Sequence, residues 1–131
     1  MSEPTKVTIK INAGEEELDI FYLLSPPSLE TNIGGQRHTI KGTNLFECFA
    51  TLRADYPDTR FLCKGSKVNV CPSRMSSQMS GGLLAYEVTL GKQALQSNLV
   101  NIFDYESENL TNDYQEQHQF YKSWINSLRS K

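Results

Sequence analysis

The chain has 131 residues, 38% of them apolar and 21% charged, with a net charge of −2 and a pI near 5.7. That length suits a single globular domain over residues 1–131, able to bury a core without disulfide or metal staples. The near-balanced charge argues against a dedicated nucleic-acid binder, which carries a basic surplus, and no apolar run approaches the roughly 18–20 residues that cross a bilayer.

The first predicted element is KVTIKI, where Val7, Ile9 and Ile11 alternate with Lys6, Thr8 and Lys10, the pattern of a half-buried strand. NAGEEE reads as a turn. LDIFYLL, from Leu18 to Leu24, reads as a second strand that closes an antiparallel hairpin. Two prolines and two glycines bracket SPPSLETNIGG, which reads as a loop, and QRHTI as a short strand. A helix is expected over about 43–56, capped by Thr43 or Asn44 and ended by Pro57. Leu45, Phe49, Leu52 and Tyr56 share one of its faces. TRFLCKG and SKVNV are short strand candidates that can pair across Gly65.

The stretch CPSRMSSQMSGG follows. Pro72 suits the first turn of a helix, Met75 and Met79 lie four apart on one helical face, and Gly81 and Gly82 suit a left-handed stop. Two readings are open. Either this is a short capped helix whose methionines enter the core, or it is an adaptable surface that displays Ser73, Arg74 and further hydroxyls to a partner. LLAYEVTL alternates with apolar residues on both sides, which suggests a central strand, and LVNIFDY is a further strand candidate. The last helix is expected over 113–129, with Asn112 as cap and Gln115 as its capping-box partner. Tyr114, His118, Tyr121, Ile125 and Leu128 form its apolar stripe, broadened by Phe120 and Trp124. The whole predicts an α+β fold: a mostly antiparallel sheet of four to six strands against two main helices.

The chemistry-bearing residues show no catalytic signature. Cys48, Cys63 and Cys71 are an odd, irregularly spaced set without a CxxC pair, which argues against a disulfide framework. Cys48 and Cys63 fall in apolar elements, where cysteine acts as a small hydrophobe. Neither they nor Cys71 stand with His38 or His118 in a nucleophile motif. His118 reads as a packed or boundary residue. Cys63 and Cys71 are eight apart and no second close pair completes a zinc site. No glycine stretch matches a phosphate-binding loop. Neither a metal nor an organic cofactor is expected.

Charge placement is more informative. Between Asn101 and Tyr121 stand five acidic residues, Asp104, Glu106, Glu108, Asp113 and Glu116, and no lysine or arginine. Arg60, Lys64, Lys67 and Arg74 precede the segment. Within it, Asp104–Glu116 is the natural contact segment, and its tyrosines, Tyr105 and Tyr114, are candidate anchors, since aromatic residues dominate interface energies. It reads either as a solvated face or as a surface made to meet a basic partner.

Residues 68–91, VNVCPSRMSSQMSGGLLAYEVTLG, with LVNIFDYE and EQHQFYKSWINSL after them, resemble a pattern in small bacterial proteins. There, Pro-Ser-x-Met-Ser-x-x-Met-x-x-Gly precedes Ala-Tyr and a strand. The resemblance spans roughly Thr59 to Leu128. Proteins of this kind resemble the immunity proteins that accompany polymorphic or contact-dependent toxins. The resemblance implies a non-enzymatic inhibitor that occludes a cognate toxin C-terminal domain, with a nuclease domain as the candidate, and with no direct contact to nucleic acid or membrane. MSEPTKVTIK has no apolar signal segment, so a reducing cytoplasm is the expected compartment. The competing classes are a small cysteine- or serine-dependent enzyme and a phage or accessory interaction protein.

Overall fold

The computed structural model describes residues 4–11 and 14–129. Its larger sheet has five antiparallel strands in the order β4-β3-β2-β1-β5: β1 (Thr5–Ile11), β2 (Gly14–Leu24), β3 (Pro27–Ile33), β4 (Gln36–Lys41) and β5 (Thr59–Leu62). Helix α1 (Leu45–Ala54) lies between β4 and β5 in the chain. The smaller sheet has the order β6-β7-β8, from β6 (Val70–Cys71), β7 (Leu84–Glu87) and β8 (Leu99–Asn101), with α2 (Arg74–Ser80) leading from β6 to β7. Helix α3 (Tyr114–Arg129) closes the described chain. The fold is α+β, with all pairing antiparallel.

Strand alternation places the core. Val7, Ile9, Leu18, Ile20, Leu29 and Ile33 are buried on one face of the large sheet. The other face carries charge, including Lys6–Asp19 at 2.7 Å and Arg37–Glu30 at 2.6 Å. Helix α1 packs on the buried face and is itself covered on the far side. Leu45, Phe46, Cys48, Phe49, Ala50, Leu52 and Arg53 are all buried, the pattern of an interior helix and not of an amphipathic one. Asn44 caps it by accepting from the Glu47 amide at 2.9 Å, and Gly81 O takes the Leu45 amide at 2.7 Å. The second acceptor requires very close approach. A Cβ on Gly82, at φ 93°, would lie 2.9 Å from the Leu45 and Phe46 nitrogens. Helix α3 packs on the small sheet, where Trp124 joins Cys71 and Val88.

Several elements differ from the sequence reading. Residues 27–33, expected as loop, are β3. The two prolines mask an alternation in which Leu29, Thr31 and Ile33 are buried. Pro27 is the first strand residue, a position that tolerates the missing donor, and Gly34 and Gly35, at φ 60° and 83°, make the two-residue turn into β4. Gly14–Glu17 are strand and not turn: they continue the antiparallel ladder with β1, Glu15 standing opposite Lys10 and Glu17 opposite Thr8. Asn12 and Ala13 of the same expected turn lie outside the described residues. TRFL and VC do not pair with each other. Lys64–Ser66 form a 3-10 turn between them that sends β5 and β6 to different sheets. Only Leu84–Glu87 and Leu99–Asn101 of the two later strand candidates are strand.

Candidate functional site

Segment 104–111 runs along residues 62–68 and is bonded to them at intervals. Lys64 N donates to Asp104 O at 2.8 Å, Glu106 N to Leu62 O at 3.3 Å, Val68 N to Asn109 O at 2.8 Å and Thr111 N to Ser66 O at 2.8 Å. Tyr105 stands opposite Cys63 in an isolated bridge. Asn109 adopts φ 58° to turn the strap inward.

The side chain of Glu106 points into a four-member charge cluster. Its Oε1 lies 3.2 Å from both Lys64 Nζ and Lys67 Nζ, and Glu87 lies 3.3 Å from Lys64 and 2.6 Å from Lys67. Glu106 Oε2 accepts the Ser107 and Glu108 amides, each at 3.1 Å. Burial opposes ionisation of Glu106, but the Glu108 amide and the two ammonium groups outweigh it and pull its pKa down to about 2. Burial likewise works against the charged forms of Lys67 and Glu87, and their mutual bonds prevail, raising the lysine and lowering the glutamate. Glu106 is therefore committed to holding the strap.

The other expected contact residues divide by position. Asp104, Tyr105 and Glu108 are exposed, Tyr105 by 62%. Asp113, not Asn112, caps α3, with its Oδ1 accepting from Gln115 N at 2.9 Å. Asn112 instead donates to Tyr56 O and Thr59 O, both at 2.7 Å. Tyr114 is half-buried, packed at 6.2 Å on Phe46 and stacked at 6.3 Å on His118. Glu116 is exposed in the first turn of α3, and so is His118, which lies off the packed face of the helix. The acidic segment thus presents an exposed group at 104–108 and a second at the start of α3, with inward-bonded residues between.

Ser73 caps α2 in a capping box with Ser76, so Pro72 precedes the helix. Gly81, at φ 65°, ends it. Met75 and Met79 share one face, but that face is outward. They are 62% and 66% exposed beside exposed Arg74, while Ser76 turns in. Of the two readings, the one with core methionines is overturned: the helix is too short to bury two faces, and the face it buries is that of Ser76, whose hydroxyl, like that of Ser80, is satisfied by a carbonyl of the helix's own first turns.

One buried constellation escaped the sequence reading. Arg53 is fully buried, and among the described residues its partners include no carboxylate. It donates to Thr111 O at 2.6 Å and Gln117 Oε1 at 2.9 Å, and lies 5.0 Å over the Phe49 ring. Burial lowers its pKa to about 10, so it remains charged at neutral pH. Gln117 donates in turn to Gly65 O at 3.0 Å and Lys67 O at 2.7 Å. The available signal was spacing: Arg53 is four residues past Phe49 and eight past Leu45, on the apolar face.

Cys48, Cys63 and Cys71 are free and buried. Burial raises all three thiols, Cys63 to about 11 and Cys71 to about 12, which disfavours a nucleophilic thiolate. His38 is bonded to the Tyr56 hydroxyl. Among the described residues, no group of three or more His, Cys, Asp or Glu side chains is placed to hold a metal ion, and no helix is long and apolar enough to cross a membrane. Comparison with protein-family models gives no match, and neither does comparison with curated protein sequences.

Proposed function

We propose that this protein is an inhibitor that binds a toxin domain in the cytoplasm and neutralises it by covering its active site, as immunity proteins do. The observation that carries this reading is Tyr105, a large aromatic side chain 62% exposed on a backbone bonded on both sides of it. With its backbone fixed in advance, a tyrosine has only two side-chain torsions to order on binding and supplies a large contact area. Asp104 and Glu108 flank it, and Glu116 is the exposed carboxylate at the start of α3. A basic partner such as a nuclease domain would be steered to this face by charge and anchored by the ring. The outward Met75–Met79 face with Arg74 is a second contact surface, adaptable because methionine is flexible and polarisable.

The test uses a candidate toxin domain encoded beside this protein. Reversing Asp104, Glu108 and Glu116 to lysine, with Glu106 left in place, slows association at low salt by about tenfold or more, and salt erases much of the difference. Tyr105→Ala acts on dissociation. An unchanged association rate in the triple variant moves the interface to the α2 face. A toxin domain that is neither bound nor inhibited overturns the reading and favours an enzyme or an accessory protein.

A further inference from the structure

The larger sheet has two edges, and the fold treats them differently. At β5 the outer edge is taken up within the chain. Leu62 O receives the Glu106 amide, Thr59 O receives Asn112 Nδ2, and Tyr105 pairs opposite Cys63 just beyond the strand. At β4 the outer edge is open. Its inner neighbour is β3, and the two-residue Gly34–Gly35 turn makes Ile33 and Gln36 a hydrogen-bonded pair. Bonded pairs then recur at every second residue, at Thr31 with His38 and at Leu29 with Ile40. The N–H and C=O groups of Arg37, Thr39 and Lys41 therefore point away from β3, and all three residues are exposed. No bond from another described residue reaches these backbone groups.

A row of free main-chain groups is satisfied by another extended chain, and the side chains beside the row decide which chain. Arg37, Thr39 and Lys41 lie on the solvent face of the sheet, so residues of an added strand standing opposite them lie on that face too. Two of the three are positive. Arg37 is bonded to Glu30 at 2.6 Å in an exposed pair, which contributes little and leaves guanidinium donors over. Lys41 forms no ion pair among the described residues. On the opposite face His38 and Ile40 are half-buried. The His38 ring is bonded to the Tyr56 hydroxyl, and Ile40 and Tyr56 pack against the core. An added strand continues that face with apolar side chains. A second copy of β4 fits badly. The antiparallel register that bonds all three residues of both copies sets Arg37 opposite Lys41 of the second copy, twice over, and like charges directly opposite each other destabilise a ladder.

We propose that β4 is a docking edge for an extended acidic segment of a partner protein, added antiparallel as a sixth strand. Its carboxylates stand opposite Arg37 and Lys41, and its apolar side chains opposite His38 and Ile40. Antiparallel addition matches every other pairing in the sheet. Backbone bonds supply the attachment, and the alternation of acidic and apolar residues supplies the selection. This edge lies across the sheet from the 104–111 strap, so the assignment stands apart from the inhibitor reading.

The probe is the peptide acetyl-Glu-Val-Thr-Val-Glu-amide, and the control carries lysine in place of both glutamates. Backbone amide resonances of the full-length protein are followed during titration with each at low salt. Saturable shifts at Arg37, Thr39 and Lys41 are expected, at least about fivefold tighter for the glutamate peptide, because opposite charges across a ladder attract and like charges repel. Thr39→Pro removes the central outward donor at a place where an edge strand tolerates proline, and abolishes binding. If that variant is poorly folded, the double variant Arg37→Glu, Lys41→Glu keeps the backbone donors and is expected to turn the preference toward the lysine peptide. Absence of saturable shifts at β4, equal affinity for the two peptides, a preference that survives the charge reversal, or undiminished binding by folded Thr39→Pro overturns the proposal. A concentration-dependent dimer of the protein alone that Thr39→Pro removes also overturns it, by giving the edge to a second copy.

Discussion

Replacing Glu106 by glutamine tests whether the charge cluster fastens the 104–111 strap. Glutamine keeps the shape and one carbonyl acceptor but removes the charge that lies 3.2 Å from each of two ammonium groups, and it cannot accept both neighbouring amides while facing them. The four side chains are between 11% and 28% exposed, between the extremes for which magnitudes are known. Exposed pairs contribute about 0–1 kcal/mol, and breaking a buried pair costs about 3–5 kcal/mol, so the expected loss is about 1–3 kcal/mol at pH 7. For a chain of this size that is a fall in Tm of roughly 3–12 °C. The pH dependence supplies the sharper check. The Glu106 carboxyl has a pKa near 2 when folded against an ordinary 4.5. Between those values the unfolded chain holds more protons than the folded one, so the stabilisation is complete above about pH 4.5 and drains away as pH falls toward 2. Urea unfolding followed by fluorescence of the single tryptophan, Trp124, should show wild-type and variant curves well apart at pH 7 and convergent in acid. Equal stability at pH 7, or a gap that stays constant down to pH 2, refutes the reasoning.

Met75→Ala and Met79→Ala should each change unfolding free energy by less than about 0.5 kcal/mol, since both side chains stand in solvent; a loss of about 2–5 kcal/mol, typical of core positions, would contradict the outward placement. Gln117→Ala strips a partner from Arg53 and two carbonyls at once, and should cost about 2–5 kcal/mol in urea unfolding. Gly82→Ala combines a strained φ with a backbone clash and should cost about 1–3 kcal/mol or more, read as a lower Tm. Truncation after Leu110 removes α3 and the acceptors of Arg53, and should leave an insoluble or molten product that binds a hydrophobic dye; a soluble, cooperatively melting truncation would sink that expectation.

Helices α1 and α3, the α2 stop at Gly81 and strand β1 were legible because periodicity and capping act over a few residues. Strand β3 was hidden by Pro26 and Pro27, whose local signal outweighed the alternation of Leu29, Thr31 and Ile33. The methionine spacing established a shared helical face but not its direction, which depends on the serines opposite it. The lone acidic character of 101–121 was a property of the linear chain. Its countercharges, Lys67 and Lys64, arrive from 39 and 42 residues away, and no window along the sequence joins them to Glu106. Of the expected contact residues, Asp104, Tyr105, Glu108, Glu116 and Arg74 remain outward, Asp113 is exposed while it caps α3, and Ser73, Glu106 and much of Tyr114 serve the fold.

The interior position of α1 has a consequence for how the protein is made. Its first backbone donor is received by Gly81 O, and its buried guanidinium by Thr111 O and by Gln117, 64 residues further on. At about 5–20 residues per second, a ribosome that has just added Arg53 needs roughly 3–13 s to deliver that glutamine. During this interval the nascent large sheet has a helix to lie against it, but the helix has neither its second covering layer nor a partner for its charge. The N-terminal strands are therefore expected to remain loosely associated, and susceptible to protease or chaperone capture, until Thr111 and Gln117 have emerged to cover α1 and receive its guanidinium.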